Sequence, residues 1–258
     1  MKTRLLVFLS LLGVLAFAGA ANQSNAHSHK NIYKHALTAE GRLEADLDAD
    51  TRRKPDEVLA FFGLKPGMTV IDIWAAGGYY TDIASHVVGP KGRVIMHNHN
   101  AYKSISQEQH DQRFKGGRLS NVTDFVMDND VLDFGDTQAD MVLIILGFHD
   151  IYYVDADGKW PTVDEAPFLD AVVAAMKPGA VLGVVDHRAP AGSGPETGNT
   201  THRIAQQVVV DRLAEHGLVL EASSDILANA EDDLAKNMYD PAIRGHTDRM
   251  VLKFRKPK

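Results

Sequence analysis

The chain has 258 residues, 45% of them hydrophobic and 24% charged, which is ordinary for a globular protein and enough for a sizeable core. A formal charge of −7, with no basic stripe interleaved by aromatics, excludes a phosphate-backbone binder, so nucleic acid is not an expected partner. Cysteine is absent, which excludes disulfides, thiolate metal sites and lipoprotein attachment.

In chain order, the first element is a targeting segment. Lys2 and Arg4 precede an apolar run from Leu5 to Ala20 that closes on Ala18-Gly19-Ala20. A charged start, an apolar core and an A-x-A site predict an export signal cut after Ala20, with a periplasmic or secreted mature protein. The run is shorter than the ~20 residues that span a bilayer, so no stable membrane insertion is expected after cleavage. Loss of Lys2 and Arg4 leaves 25 basic against 34 acidic residues, a charge of −9. Residues 21–50 form a polar N-terminal segment containing the acidic stretch "EADLDAD", and residues 51–258 read as one domain.

That domain opens with a helix from Pro55, with Asp56 and Glu57 in its first turn and Gly63 at its end. Pro66-Gly67 turns into a strand at Val70–Ile73, then a helix over about Tyr79–Val88 and a strand at Arg93–Met96. A helical region near Ser104–Phe114 leads to strands at Val122–Met127 and Met141–Gly147. A helix over Phe168–Met176, a strand at Ala180–Asp186, a helix over His202–His216 and strands at Leu218–Ala222 and Met250–Phe254 complete the series. Near-continuous apolar strands separated by helices predict an α/β fold with a mostly parallel sheet covered on both faces. The strands finish in "WAAGG", "HNHN", "MDND", "GFHD" and "DHR". In open parallel sheets the ligand crevice lies outside those carboxyl ends, and core packing does not ask for polar residues there.

The first turn narrows the ligand. It has no Gly-Lys-Ser/Thr and no three spaced glycines, which excludes a Walker loop and a dinucleotide fingerprint. "VIDIWAAGGYYT" instead resembles motif I of the class I S-adenosylmethionine-dependent methyltransferases. The resemblance continues through "KPGMTV", "ADMVLIIL", "MKPGAVLGVVDH" and "LAEHGLVLEA". With "FHD", "THRI" and "KNMYDPAIRGHTDRMVLKFRKP", it is similar to a subgroup of exported predicted methyltransferases. It implies a Rossmann-like doubly wound sheet of seven strands with an antiparallel last strand, S-adenosylmethionine as cofactor, and a small-molecule acceptor. By resemblance, Asp72 would serve the methionine end, and Ala75, Gly77 and Gly78 would let backbone approach the cofactor closely. Asn98 takes the ribose position, usually acidic, and Asp128 and Asn129 match the adenine contacts. Trp74 and Ala76 stand where the family has glycines; for Trp74, packing beneath the loop is the expectation.

Methyl transfer asks the protein for in-line positioning and for removal of the acceptor's proton. The strand ends offer His149 and Asp150 on one side and Asp186 and His187 on the other, so His149, Asp150 and His187 are the catalytic candidates. His202 and Arg203 open the next helix and could reach the same mouth, with a capping or surface role the stronger reading. His97, His99, His149, Asp150, Asp186 and His187 could in principle gather around a metal, but no pair has ligand spacing, and no metal is expected. The long loops Ile151–Asp164, Ala189–Thr201 and Ala228–Thr247 suit lids or acceptor pockets, and the last should fold over the crevice. A competing expectation is a catalytically silent binding protein on the same fold. The altered glycines and Asn98 favour it; the histidine–carboxylate pairs favour an enzyme.

Overall fold

The computed structural model describes residues 32–258; the export-signal reading of residues 1–20 lies outside them. Seven strands form one sheet: β1 (Thr69–Ile73), β2 (Arg93–Asn98), β3 (Val122–Val126), β4 (Ala139–Ile145), β5 (Met176–His187), β6 (Val219–Ser224) and β7 (Arg249–Arg255). Their order is β3-β2-β1-β4-β5-β7-β6. The first five are mutually parallel where they pair, and β7 runs antiparallel between β5 and β6. This is the doubly wound seven-stranded sheet the sequence leads one to expect.

Alternate side chains explain why the central strands read as unbroken apolar runs. Ile71, Ile73, Ile95, Val142 and Ile144 enter one core, while Val70, Val94, Met141 and Leu143 enter the other. The second core is covered by α2 (Pro55–Phe62) and α3 (Tyr79–Val88), the first by α5 (Glu165–Ala174) and α7 (Gln206–Glu215). Proline at the start and Gly63 at φ 82° bound α2 as its sequence predicts. Gly183 in β5 is required by packing, since a Cβ there would lie 2.6 Å from the ring of Phe62.

The sheet winds outward in both directions from β1 and β4, so the crevice opens beyond their carboxyl ends. Two elements from outside the sheet wall it. One is α1 (Glu44–Arg53), with acids in its first turn and Arg52 and Arg53 in its last, matching the helix dipole. The other is the long connection before β7, which reaches the crevice with Met238 and Tyr239. Two boundaries differ from expectation. β5 begins at Met176 because Met176 already pairs with Ala139 of β4. α7 begins at Gln206 because Ile204 bridges to Arg188 and His202 sits at φ 50°, both incompatible with helix. Among the described residues no helix is long and apolar enough to cross a membrane.

Candidate active site

The turn after β1 adopts an unusual backbone. Trp74, Ala76 and Gly78 have φ of 51°, 50° and 85°, so alternate residues are left-handed, two of them without glycine's freedom. Local bonds hold this conformation. The Ala75 N–H donates to the His97 carbonyl at 3.0 Å and the Gly78 N–H to the Ala75 carbonyl at 2.8 Å. The Asn98 side chain pairs with Ala76 twice: its Oδ1 accepts the Ala76 N–H at 2.7 Å and its Nδ2 donates to the Ala76 carbonyl at 3.1 Å.

Arg113, fully buried at the end of α4 (Asn100–Phe114), donates through Nε to the Gly77 carbonyl at 2.6 Å. It also joins Asp46 of α1 to Asp82 of α3. Burial works against the Asp82 carboxylate, but His86, Arg118 and Arg113 outweigh it and hold that carboxyl well below the usual range. One guanidinium thereby ties α1, α3 and the loop together.

The loop, α1 and the end of β4 enclose a cavity of about 430 Å³, inside the ~300–1,000 Å³ typical of small-molecule sites. Asp72, Ala75 and Gly77 line it, with Ile145 and Leu146 from β4 and Asp150 beyond. Asp72 is buried and accepts the Thr81 hydroxyl at 2.6 Å. Burial raises its carboxyl to about 6, against the opposing Thr81 bonds. Arg52 and Arg53 line the same space, and neither forms a salt bridge among the described residues.

Other expected residues stand away from the cavity. Gly78 starts α3, where a Cβ would lie 3.0 Å from the Met96 methyl. Asn98 is committed to Ala76. Asp128 accepts the Asn100 N–H at 3.0 Å and its Nδ2 at 2.7 Å, organising the start of α4. The Asn129 Oδ1 accepts the Trp74 indole N–H at 2.9 Å. Trp74 itself is buried and stacks on Phe168 at 4.6 Å and 12°, with Tyr102 over its other side at 6.2 Å and 22°. Gly147 leaves room for it, since a Cβ there would meet the indole at 3.2 Å. Trp74 packs across the strand ends and also lines the cavity, so it serves both as packing and as a wall of the pocket.

The histidine–carboxylate groups do assemble. His149 follows β4 and Asp186 lies near the end of β5. The His149 ring bonds Asp186 Oδ1 through Nδ1 at 2.7 Å, and its backbone N–H donates to Oδ2 at 2.9 Å. The His149 Nε2 lies 3.3 Å from Asp150 Oδ1, and the Tyr102 hydroxyl donates to the other Asp150 oxygen. Burial disfavours a charged His149, but Asp186 and Asp150 outweigh it and push its pKa up to about 9. Burial, with the charge of His149 and Arg249 nearby, drives His187 well below 6.5 instead. His187 pairs with the Thr247 hydroxyl at 2.6 Å, its ring 5.8 Å from that of His149. Two neighbouring histidines are thus set to opposite protonation states at neutral pH, an arrangement suited to acid–base work. Only Asp150 of the three catalytic candidates lines the cavity; His149 and His187 are both buried and do not.

The earlier metal grouping is not assembled as a whole. His97 turns into the core beside Phe125 and Phe134, and His99 caps α4 by accepting the Ala101 and Tyr102 N–H groups. Burial lowers both to about 4. His202, read from sequence as a cap, instead lies beside His149 and Asp150, with ring centroids 5.6 Å from His149. Arg203, also read as peripheral, is fully buried and bonds Asp232 through both nitrogens at 2.9 and 3.0 Å.

No family model matches the chain. In sequence, 128 residues are 27% identical to the ubiquinone/menaquinone biosynthesis C-methyltransferase UbiE of Shewanella oneidensis, covering 50% of this chain and 46% of that protein. The chain thus spans about half the length of the curated relatives it matches. In structure, a SAM dependent methyltransferase from Aquifex aeolicus superposes with TM-score 0.58 at 19% identity, over 80% of this chain and 92% of that one. The chain has the class I S-adenosylmethionine-dependent methyltransferase fold. A cyclase, SpnF, shares it too, at TM-score 0.52 and 17% identity over 80% of each chain, so the fold alone does not define the reaction.

Tested against S-adenosylmethionine, this methyltransferase fold fits at one end. Asp72 would offer a carboxylate to the methionine ammonium, the guanidinium of Arg53, without a salt bridge among the described residues and 4.6 Å over the Tyr79 ring, would suit its carboxylate, and the Ala75–Gly77 backbone borders the same cavity. The nucleoside end is different. Asn98 and Asp128 are spent on internal bonds, Asn129 gives its Oδ1 to the Trp74 indole while its buried Nδ2 stays unpartnered among the described residues, and the indole stacks on Phe168 and Tyr102.

Proposed function

We propose that the chain is an S-adenosylmethionine-dependent methyltransferase acting on a small-molecule acceptor, in the periplasm or outside the cell. The observation that supports this most is the cavity joining Asp72 to Asp150 across the ends of β1 and β4, at the switch point of a methyltransferase sheet. The bound cofactor would supply an activated methyl group on a sulfonium. Asp72 and Arg53 would hold its charged end, while α1, Met238 and Tyr239 would keep water out. Asp150, ionised between Tyr102 and the His149–Asp186 pair, would orient the acceptor and draw on its proton. His149 acts through Asp150, and can take a proton itself only after losing the one its pKa retains at neutral pH. His187 and Thr247 brace the far side of His149. The export reading of residues 1–20 supports the compartment.

The Trp74 indole favours a second reading, a silent binding protein on the same fold. Calorimetry with S-adenosylmethionine and S-adenosylhomocysteine decides between them, using the wild type and Trp74→Gly, the replacement that suits φ 51°. Binding by the wild type, followed by methyl uptake in a screen of hydroxyl, amine and thiol compounds, supports the enzyme. Binding by Trp74→Gly alone supports the silent fold. No binding by either folded protein excludes both readings as stated.

A further inference from the structure

His202 has no role in the reading above, and its surroundings are specific. The ring is largely buried, lies 4.8 Å from Tyr153 and 5.0 Å from Tyr239 by centroids, and its Nδ1 has no hydrogen-bond partner among the described residues. The buried Nε2 of His149 is likewise unpartnered. Both nitrogens lie near one oxygen without bonding it: Asp150 Oδ1 is 3.3 Å from His149 Nε2 and 3.9 Å from His202 Nδ1. Two buried orphan nitrogens converging on a carboxylate are costly unless something joins them.

We propose that His149 Nε2, Asp150 Oδ1 and His202 Nδ1 form a binding site for a divalent transition-metal ion of the zinc class. The three donor atoms lie within 4.8 Å of one another. Metal–ligand bonds of ~2.0–2.2 Å put tetrahedral donors about 3.4 Å apart. The His149–Asp150 separation of 3.3 Å already meets that value, while His202 Nδ1, 3.9 Å from Asp150 and within 4.8 Å of His149, must swing inward, by about half an ångström toward Asp150 and by up to about 1.4 Å toward His149. The groups behind the donors match as well. Asp186 takes the His149 Nδ1 at 2.7 Å, which turns Nε2 toward the site, as second carboxylates do for metal-bound histidines. Tyr102 holds the other oxygen of Asp150. His202 keeps a left-handed φ of 50°, strain that persists where a side chain must be aimed, and the adjoining Arg203 is locked to Asp232. Two imidazoles and one carboxylate select zinc, cobalt or ferrous iron over magnesium or calcium, which prefer all-oxygen shells. The ion would take the place of the proton that His149 otherwise holds, so binding releases that proton to solvent and strengthens as pH rises, and Asp150 and Asp186 balance the ion's charge. Three protein ligands leave a position open on the cavity that Asp150 lines, where an oxygen or nitrogen donor of a small molecule could bind. The site does not depend on the methyltransferase reading and would exist on a silent fold too.

Co²⁺ titrated into chelator-treated protein tests this, read by visible d–d absorption, with displacement by Zn²⁺ and melting curves in Zn²⁺ alongside. We expect one equivalent bound, bands of a four- or five-coordinate ion, and a raised melting temperature. His202→Gly, which suits the local backbone, and Asp150→Asn should abolish the bands while keeping the metal-free circular dichroism of the wild type. Asp186→Asn should weaken Co²⁺ about 10–100-fold without changing the band shape. His27→Ala/His29→Ala, a control for the "HSH" stretch of the tail, should bind as the wild type does. The proposal is overturned if the wild type shows neither bands nor a zinc shift. It also falls if His202→Gly binds undiminished, or if the tail variant loses the signal.

Discussion

Replacing Asp72 by asparagine should stabilise the protein at neutral pH while weakening its ligand site. The Asp72 carboxyl is 2% exposed, and burial raises it from 3.8 to about 6 despite the hydrogen bonds of Thr81. For an acid whose folded pKa lies above the unfolded one, the folded state holds the extra proton between the two values. The associated stability is complete below about 4 and is lost as pH rises through 6. Two pKa units at 1.36 kcal/mol each make this about 3 kcal/mol. Asparagine mimics the protonated acid, and its carbonyl can still accept the Thr81 hydroxyl. Asp72→Asn should therefore match the wild type only below about pH 4, exceed it by about 1 kcal/mol near pH 4.5 and by up to about 3 kcal/mol at pH 7.5, the last being roughly 6–12 °C for a domain of this size. Paired thermal melts from pH 4.5 to 8 measure it, the difference between proteins cancelling every other titrating group. Parallel profiles, or a variant less stable at pH 7.5, would show that the buried carboxylate is already compensated and refute the reasoning. In calorimetry the same variant should bind S-adenosylmethionine more weakly, because the ammonium loses its counter-charge.

Two further substitutions probe the loop and the lid. Ala76→Gly removes a left-handed alanine, a strain of roughly 1–2 kcal/mol, against a glycine entropy cost of about 0.5–1 kcal/mol; a small net gain in urea unfolding is expected, and a loss above 1 kcal/mol would mean that the methyl packs usefully. Arg203→Met leaves Asp232 buried and unpaired and should cost about 3–5 kcal/mol, with new proteolytic cuts between Asp233 and Gly245; unchanged protease resistance would detach the ion pair from the lid.

The fold was legible because the central strands bury both faces, leaving apolar runs whose polar endings fall on one edge. The cavity wall was less so. Only Asp46 and Ala49 of α1 are buried, so its pattern shows no wide apolar stripe. What docks it is an ion pair with Arg113, 67 positions along the chain, and no local rule reports such a pair. His202 was ranked a cap ahead of a site residue for a similar reason. Its place follows from a left-handed turn and from Arg203 meeting Asp232, and propensity read along "THRI" sees neither. Arg53 drew no role from the sequence, because the helix it ends was read as part of a polar segment, and its place on the cavity wall comes from how that helix docks.

The departures from the family's glycine pattern are better understood in pairs than singly. A carboxylate at position 98 could accept the Ala76 N–H but could not donate to the Ala76 carbonyl; the amide does both, and so closes a ring around a strained residue. Trp74 and Asn129 form the second pair, with Phe168 and Tyr102 completing the indole's surroundings. Each unusual residue in the loop therefore has a partner at the position that would otherwise serve the nucleoside. The loop keeps the backbone shape of a cofactor loop, yet its contacts are satisfied internally. A nucleoside entering along the usual path must break the indole hydrogen bond and one stacked contact, together roughly 2 kcal/mol, or about thirtyfold in Kd. That penalty is small enough for a methionine end well held by Asp72 and Arg53 to overcome, and large enough to explain why binding, more than fold, is the property that separates an enzyme from a silent relative.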